Sequence, residues 1–485
     1  MGNKGSTWRV EVDIERKRRC HYHMESIVLK LIQSWKMKED TVNSVPEILQ
    51  WINQINLNTD VTIRRSCLKD DKFWYYSEAE GAITNTNNSF FKIMGLQKII
   101  DEKIVYEQPI IVQDEIGFLG IIAKEIDGIL YFLLQAKIEP GNINKVQLSP
   151  TIQATKSNFK CKHGGKKPAY LEYFLNSNEH RVIVDQIQSE QSSRFYKKRN
   201  RNIVILLEEE IEIKNNYKWM TLGQIKELLK IDNLVNMDTR TVLSCLPLSG
   251  MGNIEGDYEN KLKKFYEDTS LFNSMFNNSD INGSIIEIFN YINTYKMFDE
   301  SKYILCPLSE LKKWKLKNDE FICEENALFK IIFCSIVMQG REVNEWSQPL
   351  IEPINRGILG LIISRIGDKK YFLVHALPEM GCFDKIELAP TVQFDSMNLK
   401  QMNEIEELFL KNMHDKCKYD VVLSEEGGRF YHDQNRNIIL EIEKEGICHL
   451  PKGYFWVDYK TINYLAQINN CLNIQLRNLL SLLEI

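Results

Sequence analysis

The chain has 485 residues, of which 44% are hydrophobic, 26% are charged and only 12 are proline. This length exceeds the roughly 250–300 residues at which single hydrophobic cores stop growing, so it predicts two or three domains; the composition excludes a mainly disordered or collagenous chain. The 61 basic and 66 acidic side chains give a net charge of −5, so no global positive field favours nucleic acid or an acidic membrane surface.

No apolar run reaches the roughly 18 residues that a membrane-spanning helix needs, and charges spread through the N-terminus are unlike a secretory signal. The 11 cysteines are odd in number and include no Cys-x-x-Cys pair, which predicts reduced thiols in a cytoplasmic protein. Cys161 and His163 come closest to metal spacing, but two ligands make no closed site. We therefore expect no metal, no membrane attachment and no nucleic-acid partner.

The order of predicted elements in the first half is helix, then strands, then helices. Apolar residues at three-to-four spacing predict helices over Ser26–Trp35 and Pro46–Ile55. Helices are also predicted over Met220–Leu229 and Asn236–Ser244. Short runs rich in β-branched and aromatic residues predict six strands, at Phe90–Ile93, Gly117–Ala123, Ile129–Ala136, Lys145–Leu148, Val182–Val184 and Ile203–Leu207. These elements predict a mixed β-sheet flanked by helices, which is an architecture of the α+β class.

A duplication runs through the chain. Shifting the sequence by 240 positions sets Gln108–Asn158 on Gln348–Asn398 without a gap, with Gly117 on Gly357. The match continues at shifts of 235 and 237 towards the end of the chain. The sequence therefore predicts two copies of one domain, over residues 20–248 and 258–485, joined by a linker at 249–257.

The two copies differ in charge. Lys197–Arg199 in the first copy aligns with His432–Gln434 in the second, which replaces three positive charges by one negative charge. Asp238 aligns with Gln475, which keeps a hydrogen-bonding group and removes an ionisable one. We therefore expect the first copy to bind an anion more tightly and to carry the chemistry.

The basic segment Lys197–Arg201 has three interpretations. A phosphate site is favoured, because Asn200–Asn202 recurs in the second copy and leads into a strand, and because guanidinium groups give a diphosphate bidentate contacts. The other two are structural pairing with Glu208–Glu210 and a nucleic-acid patch.

Two further positions are candidates for proton transfer. Lys137 and Glu139 share one face of a strand, where they form either an ion pair or an acid and a base. His163 precedes two glycines on a loop and is either a proton shuttle or an exposed bystander.

Long motifs in both copies carry a resemblance to a known family; they lie at Val146–Asn158, Gln188–Asn202, Asn233–Cys245, Glu387–Gln393 and Ser424–Phe430. They resemble the NDP-hexose 2,3-dehydratases of deoxysugar biosynthesis, and the likeness covers nearly the whole chain from about Trp35. The resemblance implies a homodimer of subunits with two tandem Nudix-superfamily domains. One nucleotide-sugar pocket would be functional and the other vestigial.

The resemblance implies that the substrate is dTDP-4-keto-6-deoxy-D-glucose, and that loss of its 2-hydroxyl gives the 3,4-diketo-2,6-dideoxy sugar without cofactor or metal. The missing Nudix box agrees, because neither Gly340–Glu342 nor any other segment supplies its clustered glutamates. The histidine that the family commonly shows before its paired phenylalanines is Asn85 here, so no base is carried over to that position. Two alternatives are a Nudix-like nucleotide-sugar hydrolase that needs magnesium and a noncatalytic nucleotide-sugar binding protein.

The 4-keto group acidifies the proton on C3, so the elimination needs a base there, donors for the enolate oxygen and an acid for the departing hydroxyl. Glu139 or His163 is the candidate base, and the candidate donors are Tyr196, Lys198 and Lys137. Asp238 is either the acid or base, or a residue that orients Arg240. The predicted substrate-binding residues are Lys137, Gln153, Asn158, Glu190 and Asn236, with Arg194, Arg199, Arg201 and Arg240 for the diphosphate; those of the second pocket are Gln393, Arg429, Arg436 and Arg477.

Overall fold

The computed structural model describes residues 27–159, 167–250, 257–277, 281–325, 328–338, 344–394, 402–447 and 449–485. The first half contains helices α1 (27–36), α2 (Val45–Asn58), α3 (Lys156–Phe159), α4 (Leu171–Leu175), α5 (Leu222–Leu228) and α6 (Met237–Ser244). Its strands are β1 (Val61–Arg65), β2 (Trp74–Ser77), β3 (Ala82–Asn85), β4 (Lys92–Ile100), β5 (Lys103–Val112), β6 (Gly117–Ile126), β7 (Ile129–Ile138), β8 (Val146–Ser149), β9 (Ile152–Ala154), β10 (Arg181–Ser189), β11 (Phe195–Tyr196), β12 (Arg199–Leu207) and β13 (Tyr217–Thr221).

The second half repeats this order. Its helices are α7 (Asp257–Lys263), α8 (Thr269–Phe276), α9 (Ile281–Phe298), α10 (Glu404–Asn412), α11 (Tyr459–Ala466) and α12 (Ile474–Ser481). Its strands are β14 (Lys302–Cys306), β15 (Trp314–Lys317), β16 (Glu320–Cys323), β17 (Phe329–Met338), β18 (Glu345–Pro353), β19 (Gly357–Ile366), β20 (Lys369–Pro378), β21 (Ile386–Ala389), β22 (Val392–Phe394), β23 (Cys417–Ser424), β24 (Gln434–Glu441) and β25 (Tyr454–Asp458).

Each half builds a seven-stranded sheet with the same strand order. In the first half the order is β10-β12-β6-β7-β13, with β8 beside β7 and β9 beside β6. In the second half it is β23-β24-β19-β20-β25, with β21 beside β20 and β22 beside β19. Only the pairs β12–β6 and β24–β19 are parallel in these two sheets as described. The predicted duplication and mixed α+β class are confirmed.

The predicted helix over Met220–Leu229 is wrong at its start. Met220 and Thr221 end strand β13, where they pair with Phe132 and Tyr131 of β7. The Thr221 hydroxyl then accepts a hydrogen bond from the backbone N–H of Gln224, whose side chain reaches back to the N–H of Thr221. This capping box begins the helix at residue 222, so the apolar residues before it are free to pair as a strand.

The two smaller sheets contain strands from both halves. β1 of the first half pairs with β17 of the second, and β14 of the second half pairs with β4 of the first. Each half therefore gives its first strand to the sheet of the other half. This exchange brings loops of both halves to the same cavity, and the division at residues 249–257 stays a prediction.

The two halves also share a hydrophobic core and buried hydrogen bonds. One continuous apolar core includes Leu31 and Ile48 of the first half and Leu476 of the second. The guanidinium of Arg240 in α6 crosses to the carbonyl of Ser424 at 2.6 Å, and that of Arg477 in α12 crosses to the carbonyl of Ser189. Among the described helices, none has the length and apolarity to span a membrane.

Candidate functional site

A cavity of about 760 Å³ lies beside the ends of β6, β7 and β9. Its volume is within the range of roughly 300–1,000 Å³ in which small-molecule and cofactor sites fall. The first half supplies most of its lining, and the second half supplies Ser335, Glu345–Gln348 and part of the turn that follows β23. The cavity is therefore shared by the two halves.

Seven of the residues predicted for the first pocket line this cavity. They come from β7, β9, α3 and α6, from the residues that follow β7 and β10 and from the segment between β11 and β12; they are Lys137, Glu139, Gln153, Asn158, Glu190, Lys198 and Asp238. These residues are far apart in the sequence and meet because their strand and helix ends lie at one edge of the seven-stranded sheet.

Glu139 lies directly after β7 and is only 4% exposed. The Lys137 Nζ lies 3.0 Å from the Glu139 Oε1, and Gln153 Nε2 donates to the same oxygen at 3.1 Å. Of the two sequence interpretations of this pair, the structure shows the ion pair, and the pair lies on the cavity wall. The neighbouring ammonium favours the ionised form of the Glu139 carboxylate, which is the form that a base requires.

Asp238 lies in the first turn of α6 and is 2% exposed. Burial raises its pKa well above the usual value, and the charges of Glu190, Glu426 and Glu139 raise it further. Its Oδ2 is buried and has no hydrogen-bond partner among the described residues. A protonated carboxyl group that borders the cavity can act as a proton donor.

Glu190 and Lys198 lie side by side on the wall. Burial raises the pKa of Glu190, although the charge of Lys198 opposes the shift, and burial lowers the pKa of Lys198 to about 8. Asn200 donates to Glu190 at 2.7 Å and accepts a hydrogen bond from Lys198 at 2.9 Å. The Lys198 ammonium also donates to the carbonyl of Glu115. Lys198 is therefore held in place as a cation close to neutral pH.

Glu426, which the sequence analysis missed, comes to the cavity from the second half. Burial and, after it, the charge of Glu139 raise its pKa to about 7. It aligns with Gln191 of the first half at the shift of 235, so the comparison of the copies contained a signal. The signal differs from those at Lys197–Arg199 and Asp238, because here the ionisable group is present in the second copy and absent from the first.

Arg429 was predicted in the pocket of the second half. The structure places it on the wall of the cavity described above, because the turn at 425–429 reaches across to the first half. Its guanidinium lies 4.3 Å from the centre of the Phe91 ring and donates to Gln113 at 3.3 Å. The aromatic side chains of Phe73, Trp74, Phe90 and Trp346 also line the cavity.

The four arginines predicted for the diphosphate are not among the residues that line the cavity. Arg201 pairs with Asp185 on the neighbouring strand at 2.6 Å, and not with the predicted Glu208–Glu210. Arg199 stacks on the Phe383 ring at 3.6 Å, and Arg194 lies over a ring of the second half. The guanidinium of Arg240 donates its hydrogen bond to the carbonyl of Ser424.

The remaining predicted residues are placed elsewhere. Tyr196 packs against the apolar cluster of β4 and β5, and Asn236 caps α6 while donating to Ser149 at 3.0 Å. His163 lies outside the described residues. In the second half Gln393 donates to Glu379 at 3.1 Å, Arg436 pairs with Asp420, and Arg477 crosses to the first half.

The site brings buried proton donors, an ion-paired carboxylate and cations into one cavity large enough for a nucleotide sugar. In the part of the chain that the structure describes, no group of three or more histidine, cysteine or acidic side chains is placed to hold a metal ion. The arrangement defines a protein that transfers protons on a bound ligand.

Comparison with known proteins gives the family. The model of the NDP-hexose 2,3-dehydratase family matches residues 45–246 and again residues 286–483. The chain belongs to this family, which confirms the resemblance found in the sequence, and the two matched regions follow the duplication.

Three relatives are each named dTDP-4-dehydro-6-deoxy-alpha-D-glucopyranose 2,3-dehydratase. The one from Saccharopolyspora spinosa is 38% identical over 85% of this chain and 85% of the relative. Those from Streptomyces violaceoruber and Amycolatopsis orientalis are 35% and 32% identical, over 86% and 90% of this chain and 92% and 89% of the relatives.

Proposed function

We propose that this chain is a hydro-lyase that removes the 2-hydroxyl of dTDP-4-keto-6-deoxy-D-glucose and yields the 3,4-diketo-2,6-dideoxy sugar. The observation that carries the proposal is the pairing of an ion-paired carboxylate, Glu139, with a protonated acid, Asp238, in one cavity. The names of the three relatives support the substrate.

Glu139 acts as the base that removes the proton from C3. The electron pair of the C3–H bond moves into the C3–C4 bond, and the 4-keto oxygen becomes an enolate. Lys137 stabilises the carboxylate form of Glu139 before this step. His163 remains the alternative base predicted from the sequence.

Asp238 protonates the departing 2-hydroxyl. The enolate electrons form the C2–C3 double bond as the C2–O bond breaks, and the hydroxyl leaves as water. The unpartnered oxygen of Asp238 and its raised pKa suit this role, because the group carries a proton at neutral pH.

Two ammonium groups line the cavity where negative charge develops. Lys137 and Lys198 are candidate donors to the enolate oxygen, and both are held by buried partners before substrate binds. Preorganised donors of this kind lower the barrier without reorganising during the reaction.

The nucleotide is bound at the aromatic part of the cavity. Arg429 offers a planar guanidinium for the diphosphate, and Lys72 is a further cation in the lining of the cavity. The rings of Trp74 and Trp346 are suited to contact the thymine base. Asn158 and Gln153 complete the polar lining.

The equivalent pocket of the second half is vestigial in this proposal. It keeps Glu379 with Gln393, but Leu377, Asp433 and Gln475 replace Lys137, Lys198 and Asp238. A carboxylate without the neighbouring ammonium and acid cannot carry out both proton transfers.

Three further features belong to the proposal. Each half adopts a Nudix-like fold, the subunit forms a homodimer, and the protein is cytoplasmic. Exposed Leu57, Met297 and Phe298 at the ends of α2 and α9 support an interface with a second subunit. Light scattering of the protein as it elutes from a size-exclusion column would measure its molar mass and so test the proposed dimer.

The test is incubation of the chelator-treated protein with the 4-keto sugar, followed by trapping of the product. A dehydratase gives the product that lacks the 2-hydroxyl without added metal. Release of sugar phosphate only after magnesium is restored would instead identify a Nudix-like hydrolase. Tight binding without turnover would identify a noncatalytic binding protein, and either of these results contradicts the proposal.

A further inference from the structure

The turn at 425–429 of the second half is fixed against the end of β7 in the first half. The backbone N–H of Gly141 donates to the carbonyl of Gly427 at 2.7 Å, and the N–H of His432 donates to the carbonyl of Gly141 at 2.9 Å. These two bonds hold the turn at the residue pair that follows Glu139. The position of Glu426 is therefore set by backbone contacts between the halves.

Gly428 leaves a small space that two carboxyl groups share. A methyl group placed on Gly428 would overlap the Oε1 of Glu426 and would lie 3.5 Å from the Oε1 of Glu139. The corresponding turn of the first half has Gln191 and Ser193 at the positions of Glu426 and Gly428. Of these two turns, only the one at 425–429 has both a carboxyl group, that of Glu426, and the free space beside a glycine.

The proposed function leaves one proton transfer without a residue. After water has left, the sugar carries a C2–C3 double bond with a hydroxyl on C3, and C2 needs a proton before the 3-ketone forms. At that stage Glu139 holds the proton taken from C3, and Asp238 has lost its own. A second acid beside Glu139 would deliver this proton to one face of C2, which protonation by the solvent does not.

We propose that Glu426 donates the proton that C2 receives, and that it is then reprotonated by Glu139. This inference rests on the proposed function. The O–H bond of Glu426 breaks, and the electrons of the C2–C3 double bond form the new C2–H bond. The C3 hydroxyl becomes the ketone, and its proton returns to Asp238. Passage of the proton from Glu139 to Glu426 restores all three groups, and only water is released.

The surroundings of Glu426 support this role. Burial is the largest cause that raises its pKa to about 7; the charges of Glu139 and Glu190 contribute, while Arg429 and Lys137 oppose the shift. Two carboxyl groups beside the same space share protons more readily than they share negative charge. Glu426 therefore carries the proton while Glu139 is ionised.

The test is the reaction of Glu426→Gln in D₂O under single-turnover conditions. The diketone is trapped at once with 1,2-diaminobenzene, and NMR reads the deuterium at C2. The unmodified protein should place one deuterium in a single configuration. The variant should still lose the 2-hydroxyl, but its enol should be protonated in solution and give both configurations equally.

Glu426→Asp serves as the second variant, because it keeps an acid at shorter reach and should restore the single configuration at a reduced rate. Circular dichroism and thermal melting check that both variants fold. A single configuration from Glu426→Gln would overturn the inference and leave the proposed function intact. Loss of the elimination step in Glu426→Gln would also overturn it, because Glu426 would then act earlier. An unmodified protein that never loses the 2-hydroxyl would instead refute the proposed function.

Discussion

The proton balance of the cavity depends on where individual charges are held. The buried charged groups of its lining that bear on proton transfer are Glu139, Glu190, Asp238 and Glu426 with Lys137, Lys198 and Arg429. Because burial disfavours several negative charges together, two of the carboxyls keep protons and one is paired with an ammonium. Base and acid therefore coexist at one pH.

Asp238→Asn should lower kcat by about 100-fold to 10,000-fold, the range that a lost general acid or base commonly gives. The amide keeps the shape of the side chain and cannot supply an acidic proton, so KM should change little. Steady-state kinetics measure both constants, and thermal melting checks that the fold is retained. A variant with the kcat of the unmodified protein would remove Asp238 from the mechanism.

The activity should fall as the pH rises above neutrality. Glu426, with a pKa of about 7, and Lys198, with a pKa of about 8, both lose their protons in this direction. Loss of the first proton removes the donor for C2 and slows formation of the diketone, although the 2-hydroxyl is still lost. Loss of the second removes a cation beside the enolate. In Glu426→Gln the fall of kcat should move towards the pKa of Lys198. A rate that increases from pH 7 to pH 8 in the unmodified protein would contradict this assignment.

The sequence alone indicated some of these residues and missed others for a physical reason. Strand alternation placed Lys137 and Glu139 on one face, and comparison of the copies singled out Asp238. Arg240 and Arg201 were predicted to bind phosphate. In the structure Arg240 donates to the carbonyl of Ser424 and Arg201 pairs with Asp185, and neither partner is evident from the sequence. Glu426 was missed because no local pattern shows that its turn crosses to the other half.

At the scale of elements, the two turns at 190–194 and 425–429 are each docked on the opposite half. Gly381 donates to the carbonyl of Ser192 at 2.8 Å, which repeats the contact of Gly141 with Gly427 at 2.7 Å. A side chain on either glycine would overlap the carbonyl oxygen of a turn, Phe430 for Gly141 and Phe195 for Gly381. These close backbone contacts explain why both positions are glycine.

Gly141→Ala should displace the turn that carries Glu426 and reduce activity strongly. Its matched control is Gly381→Ala, which introduces the same methyl group at the contact of the other turn. Melting temperatures should fall by similar amounts, because the two backbone contacts are alike, whereas kcat should fall much further in Gly141→Ala. Equal losses of kcat would show that the 425–429 turn has no special part in the reaction.

Elements with a clear periodicity were predicted, whereas the ten-residue strand β5 and the short strands near the start of the chain were not. The helices at 27–36 and α2 and the strands β6, β7 and β12 follow clear periodicities. The short strands β1, β2 and β3 were not predicted, since four or five residues carry little pattern and β1 gains its pairing from the other half. Met220 was assigned to a helix because its apolar neighbours suit either structure.

At the scale of the molecule, the duplication is visible in the sequence, and the sharing of the cavity is not. A repeat period reports that two units are alike, but strand exchange and turn docking depend on contacts between residues far apart in the chain. The resemblance implied that the second half holds only a vestigial pocket. The structure adds that this half contributes Glu426 and Arg429 to the wall of the cavity proposed as the active site.

The most direct test of the central claim compares one substitution in the two halves. Glu139→Gln and Glu379→Gln change equivalent carboxylates, each of which accepts a hydrogen bond from a glutamine at 3.1 Å. In chelator-treated protein given dTDP-4-keto-6-deoxy-D-glucose, Glu379→Gln should release the product lacking the 2-hydroxyl at the rate of the unmodified protein, while Glu139→Gln should release none. Full activity of Glu139→Gln, or equal loss in both variants, would contradict metal-free elimination in the cavity of the first half.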